Sequence, residues 1–155
     1  MDDFVLARVV HVLGVVLWIG GVAFVTLVLL PGLKRLQPPN QRVAMFERLE
    51  AGFAWQARLT TLLTGASGFY MLHALDAWAR FADPGQWWLH AMSALWLIFT
   101  LMLFVLEPLV LHKWFERRAV SQPESTLALI QRLHWVLLTA SLLTVAGAVA
   151  GVHGG

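Results

Sequence analysis

The chain has 155 residues, of which 59% are apolar and only 13% charged, with a formal net charge of +2 and no cysteine. A soluble domain of this length cannot bury that much apolar surface behind so few polar groups, so the composition excludes a soluble enzyme and points to a membrane protein. Without cysteine there are no disulfides, thiolate metal sites, iron–sulfur clusters, covalently attached haem or cysteine nucleophile, and the net charge is too small to suggest nucleic acid.

In chain order, four segments carry the roughly 20 mostly apolar residues that a membrane crossing needs. The first runs from about Phe4 to Leu30 and stops at Pro31-Gly32. It opens with Asp2-Asp3 instead of a basic region, and its apolar run is too long for a signal peptide, so it reads as a retained helix. Gln37-Pro38-Pro39-Asn40 is a helix stop. Over residues 41–52, Val43, Met45, Phe46 and Leu49 recur at helical spacing among Arg42, Glu47, Arg48 and Glu50, the pattern of an amphipathic helix that lies on, or leads into, the membrane. The second crossing is expected over 59–78, the third over 87–106 and on to 111, and the fourth over 133–152. These runs are helices, because lipid admits only helices and closed barrels, and barrel strands alternate over about 10 residues. The expected fold is all-α: one integral membrane domain, 1–155, built as a four-helix bundle with up-down topology. Gly147-x-x-x-Gly151, Gly65-Ala66-Ser67-Gly68, Gly14, Gly20 and Gly21 read as packing positions that let helices approach closely.

Nine of the eleven lysines and arginines fall in two connections: Lys34, Arg35, Arg42, Arg48 and Arg58 in one, Lys113, Arg117, Arg118 and Arg132 in the other. Only Arg8 and Arg80 lie on the opposite side. Positive loops stay in the cytoplasm, so both termini and the loop over 76–86 are expected on the non-cytoplasmic side. Trp78, Trp87 and Trp88 would form an outer aromatic belt, and Trp114 and Phe115 an inner one.

An ionisable residue inside a crossing is costly and suggests function. His11 stands roughly 10 Å below the outer edge at the helical rise per residue. His73 lies five residues before the outer end of the second crossing, and His90 three residues into the third. Three histidines on three helices thus share one depth. Neutral imidazole is the commonest metal ligand, and a haem iron held between two helices takes one from each. The bland alternative is a set of interfacial histidines. Arg8 lies one turn outward of His11 and is placed to hold a haem propionate; the competing reading is that it snorkels to the interface. Copper is the alternative metal, through Met71 with His73 and His90 with Met92, although residues two apart on a helix point to nearly opposite sides. Ser93, Thr100 and Glu107 share a face of the third crossing. Glu107, just before Pro108, is expected to pair with Arg58, with Arg132 as second candidate. His112 and His134 read as anchors at the inner edge, with a second haem between them as the alternative, and His153 falls in the outer tail. No phosphate-binding glycine loop, Walker lysine, H-E-x-x-H or serine–histidine–aspartate pattern is present.

His11, Trp18 seven residues later, Gly20-Gly21 and Pro31 resemble the first helix of the CopD-like membrane family, and share their spacing with the HemJ-type protoporphyrinogen oxidases. Arg58 followed by Thr64-Gly65, and Trp88-Leu89-His90, are similar to the second and third helices of this group. The resemblance covers most of the first three crossings. It implies a membrane protein of four or slightly more helices that carries b-type haem or handles copper, with His11 and then His90 as ligands; the expected location is the inner membrane of a bacterium. Where the HemJ-type third helix continues His-x-Lys, this chain has Met92. The expected function is therefore a membrane b-type haem protein in electron transfer or membrane redox chemistry. His11 and His90 would be its axial ligands, His73 the replacement for either, and Arg8 the propionate partner. Copper transport or resistance and protoporphyrinogen oxidation are the alternatives. Expected partners are the lipid bilayer, a redox protein and further copies of the chain.

Overall fold

A computed structural model describes residues 2–152, so His153 lies outside the described residues. Every element among them is helical. Helix α1 (Asp3–Phe24) passes through a π segment, Val25–Leu29, into α2 (Leu30–Leu36). Helix α3 (Pro39–Ala74) follows, then 3₁₀ turns at Ala77–Ala82 and Pro84–Gln86. Helix α4 (Trp87–Leu101) passes through a second π segment, Met102–Leu111, into α5 (His112–Ser121), and α6 (Pro123–Val152) closes the chain. Asp2 caps α1 by accepting the Phe4 N–H at 3.3 Å. The corner between α2 and α3 is fixed by Arg42, which donates to the carbonyls of Gln37 and Lys34 at 2.8 and 3.0 Å.

Among the described residues, three stretches are long and apolar enough to cross a membrane: Asp3–Leu36, Pro84–Ser121 and Pro123–Gly151. The crossing expected over 59–78 is not among them. It falls in the second half of α3, where Arg58, Thr60, Thr61, Thr64, Ser67 and His73 dilute the hydropathy, and α3 ends at Ala74, leaving Trp78 in a 3₁₀ turn. Of the two readings of the amphipathic segment over 41–52, the one in which it leads onward fits: it is the first part of the same 36-residue rod. The last helix starts at Pro123, ten residues before the apolar run.

Pro31 does not stop the first helix, which runs on to Leu36. A proline inside a helix removes one N–H and crowds the preceding turn. Here the π turn widens the coil, and the Leu30 N–H reaches back five residues to the Val25 carbonyl. In that register the next carbonyl, Thr26, would be served by residue 31, which has no N–H. Gln131 of α6 supplies the missing donor, with Nε2 2.9 Å from the Thr26 oxygen. The second π segment repeats the arrangement. The His112 N–H bonds to the Glu107 carbonyl, and the carbonyl five residues before Pro108, that of Leu103, accepts from Arg58 Nε at 3.1 Å.

Helices α1 and α3 run antiparallel, while α3 and α6, which meet at Phe46 and His134, run in the same direction. His11 lies opposite Ser67, Gly14 opposite Thr60 and Thr64, and Gly21 opposite Phe53. The interior mixes two apolar clusters with hydroxyls. One cluster joins Val25, Leu30, Leu33, Val43, Phe46, Leu127 and Ile130; the other joins Trp18, Ile19, Val22, Leu95, Phe99 and Leu138. Thr26, Thr60, Ser67, Thr126, Ser141 and Thr144 are buried and donate to carbonyls one turn back in their own helices. Meanwhile Leu13, Leu17, Val28, Leu109, Val136 and Leu143 are more than half exposed. Small hydroxyls inside and leucines outside is the polarity of a protein solvated by lipid.

The expected packing glycines act mostly as slots for rings. A methyl at Gly147 would overlap the Trp87 ring, at Gly151 the Trp88 ring, at Gly65 the Trp96 ring and at Gly21 the Phe53 ring. Gly14, against Thr60 and Thr64 of α3, fits the helix-on-helix expectation. Gly20 has nothing within 4 Å of where its Cβ would stand.

Candidate functional site

His11 is held by α3. Its Nδ1 lies 2.9 Å from the Thr64 carbonyl and 3.3 Å from Ser67 Oγ, while the Ser67 hydroxyl donates to carbonyls of its own helix. A carbonyl can only accept, so Nδ1 carries the proton and the Nε2 lone pair is bare. Gly68 makes room for this: a Cβ there would stand 3.1 Å from His11 Cε1. An imidazole fixed through Nδ1 to a backbone carbonyl, with Nε2 as the basic nitrogen, is the arrangement that metal-ligating histidines adopt.

The other residues expected at this depth are placed differently. His90 is half-buried and stacks on Phe81, with ring centroids 5.6 Å apart and planes 19° apart, and its Nδ1 is buried without a hydrogen-bond partner. His73 is exposed. Arg8 is exposed as well, with its guanidinium 5.6 Å from the Phe4 ring centre. His11, His73 and His90 do not form a group whose ligating atoms converge within 4.8 Å of one another.

The structure does bring Arg58 and Glu107 together. Arg58 Nη2 donates to Glu107 Oε2 at 2.6 Å, while Nε caps Leu103. Arg132, the second candidate partner, is exposed. Glu107 of this pair lines a cavity of about 310 Å³ walled by α1, both π segments, α3, α4, α5 and α6. Aromatic and aliphatic side chains make most of its wall, among them Trp18, Phe46, Phe53, Phe99, Met102 and Phe115. Five ionisable residues also line it: Glu47, Glu50, Glu107, His112 and His134. Burial, reinforced by the carboxylates of Glu107 and Glu47, pushes Glu50 up to about 7. Burial also raises Glu47, against the opposing pull of His112 and with a smaller push from Glu116.

His134 does not sit at a water-exposed edge. It is half-buried, with Nδ1 2.9 Å from the Ile130 carbonyl one turn back and its ring edge-on to Phe46, and it faces the cavity. Glu47 and Glu50 were missed as site residues because a linear pattern shows them only as the polar side of an amphipathic helix. The available signal was their three-residue spacing, which puts both on one face with Phe46 and Phe53. The chain matches no family model, no curated protein and no solved structure.

Proposed function

We propose that the protein is a multi-pass protein of the bacterial inner membrane, with four crossings and both termini outside, that binds b-type haem through His11. The observation that carries this reading is the tether of His11 Nδ1 to the Thr64 carbonyl, which leaves Nε2 as the ligating nitrogen. Three further features support it. His90 has a buried nitrogen with no partner at the outer end of α4. The motif resemblance around His11, Trp18, Arg58 and His90 points the same way. The polar residues of α3 are compatible with a crossing because Thr60, Thr64 and Ser67 lie inside the protein. Bound haem would supply one-electron transfer. The chain's part is to hold the His11 ring through Thr64 and Ser67 and to offer His90 as second ligand. Arg8, at the end of α1 outward of His11, would stabilise a propionate.

A second location is favoured by one observation. His134 is tethered through Nδ1 to a carbonyl in the same way, and it faces the cavity. Purified protein expressed with ample haem should show a reducible Soret band. The band should be lost in His11→Ala and kept in His134→Ala. The reverse pattern moves the haem to the inner cavity. No Soret band in the wild type, or stoichiometric copper without porphyrin, overturns the proposal.

A further inference from the structure

Away from His11, one set of metal-ligating side chains converges from two helices. Glu47 comes from α3. His112 and Glu116 stand one turn apart on α5 and so share a face. His112 Nδ1 lies 3.8 Å from Glu47 Oε1, and His112 Nε2 lies 3.5 Å from Glu116 Oε1. One ligating atom from each residue lies within 4.8 Å of the other two, and among the described residues no other three histidine, aspartate or glutamate side chains meet in this way. We propose that Glu47, His112 and Glu116 bind a divalent cation of the borderline class, such as Zn²⁺.

The donor set is one imidazole and two carboxylates without sulfur, which suits Zn²⁺ or Mn²⁺ and not Cu(I). Three protein ligands leave a position for water. Glu47 and His112 also line the cavity, which gives that water room. The charge balance argues the same way. The two carboxylates face one another around a single imidazole, and among the described residues neither forms an ion pair with lysine or arginine. A dication removes that repulsion. The site is also built by the fold. The π segment adds a residue to the turn before α5, ending with the His112 N–H on the Glu107 carbonyl, and so selects the face of α5 that meets α3. At metal–ligand bonds of about 2.1 Å the donors stand roughly 3.4 Å apart. The His112 and Glu116 side chains are 53% and 54% exposed, so side-chain rotation closes the remaining distance without moving backbone. The site shares no residue with the His11 level and stands apart from the reading that places haem there.

Calorimetric titration of the full chain in detergent with Zn²⁺, and of the same sample with Co²⁺ read by its visible bands, tests the proposal. One equivalent should bind to the wild type. Affinity should fall at least tenfold in Glu47→Gln, His112→Ala and Glu116→Gln, while Glu124→Gln keeps it. Glu116 is half-exposed, so Glu116→Gln leaves the fold intact even where a change at Glu47 disturbs packing; helicity by circular dichroism verifies this. Zn²⁺ should also raise the thermal midpoint of the wild type and not of Glu116→Gln, because the ion ties α3 to α5. No binding to the wild type, or unchanged affinity in both His112→Ala and Glu116→Gln, overturns the site, whatever the haem spectrum shows.

Discussion

The π segments at Val25–Leu29 and Met102–Leu111 face the same difficulty, a proline that leaves a carbonyl five residues back without its donor, and they resolve it with different chemistry. At the first, a neutral amide, Gln131, reaches Thr26 inside the apolar cluster of Val25, Leu30, Val43 and Leu127. Donor and acceptor are both buried, and neither carries a charge. At the second, a guanidinium, Arg58, reaches Leu103. A charge in that place needs a counter-charge, and Glu107 supplies it. The neighbourhood then holds Glu47, Glu50 and His112 around open space instead of packed leucines. The contrast teaches that a neutral cap goes with closed core, while a charged cap goes with a cavity that gathers ionisable side chains.

The largest effects should come from removing the caps. Arg58→Met leaves the Leu103 carbonyl and the Glu107 carboxylate without this partner and should cost about 3 kcal/mol of unfolding free energy in detergent. Gln131→Leu strands one buried carbonyl and should cost about 2 kcal/mol. Equal, negligible losses from both would break the comparison. A smaller effect should come from restoring the missing donor. Pro31→Ala gives residue 31 an N–H in register with Thr26, so in the Gln131→Leu background it should recover about 1 kcal/mol, read as a double-mutant cycle. Pro108→Ala should do less for Arg58→Met, because Glu107 stays unpaired.

A further effect is on pH dependence, and only the second region should show it. Glu50 titrates near 7 in the folded protein, against an ordinary value of 4.5. Between those values the folded chain keeps a proton that the unfolded chain has released. Stability therefore falls as pH rises through that window and levels off above it. Thermal midpoints measured from pH 4.5 to 8 should show this decline in the wild type, a flatter profile in Glu50→Gln, and the full decline in Glu124→Gln.

The sequence makes the helical class legible through its long apolar runs, and three of those runs correspond to helices long enough to cross a membrane. Depth counting puts Arg58 and Glu107 at one level, and the two side chains meet. Pro31 shows where local reading fails. A lone proline reads as a stop because the lost bond is visible in the chain, while its replacement comes from Gln131, 105 positions away from Thr26. The same holds for Gly147 and Gly151. Their spacing reads as helix-on-helix contact, and α4 does meet α6 there, but the sequence does not show that the Trp87 and Trp88 rings are what fill the slots. Depth on separate helices puts His11, His73 and His90 at one level; it says nothing of rotation about each helix axis, and their orientations differ accordingly. Glu50 looks like an ordinary surface acid until α3 is seen to run unbroken past the cavity.

The indoles in the glycine notches set a mechanical dimension at that end of the molecule. Where Trp87 and Trp88 lie against Gly147 and Gly151, the indoles fill the space a side chain would take, so rings stand between α4 and α6 there. Shrinking the ring at 87 would let the two rods slump together, and enlarging residue 147 would wedge them apart. Trp87 directly follows the 3₁₀ turn Pro84–Gln86, so a displacement of that turn would be passed through the ring to the far end of the last helix.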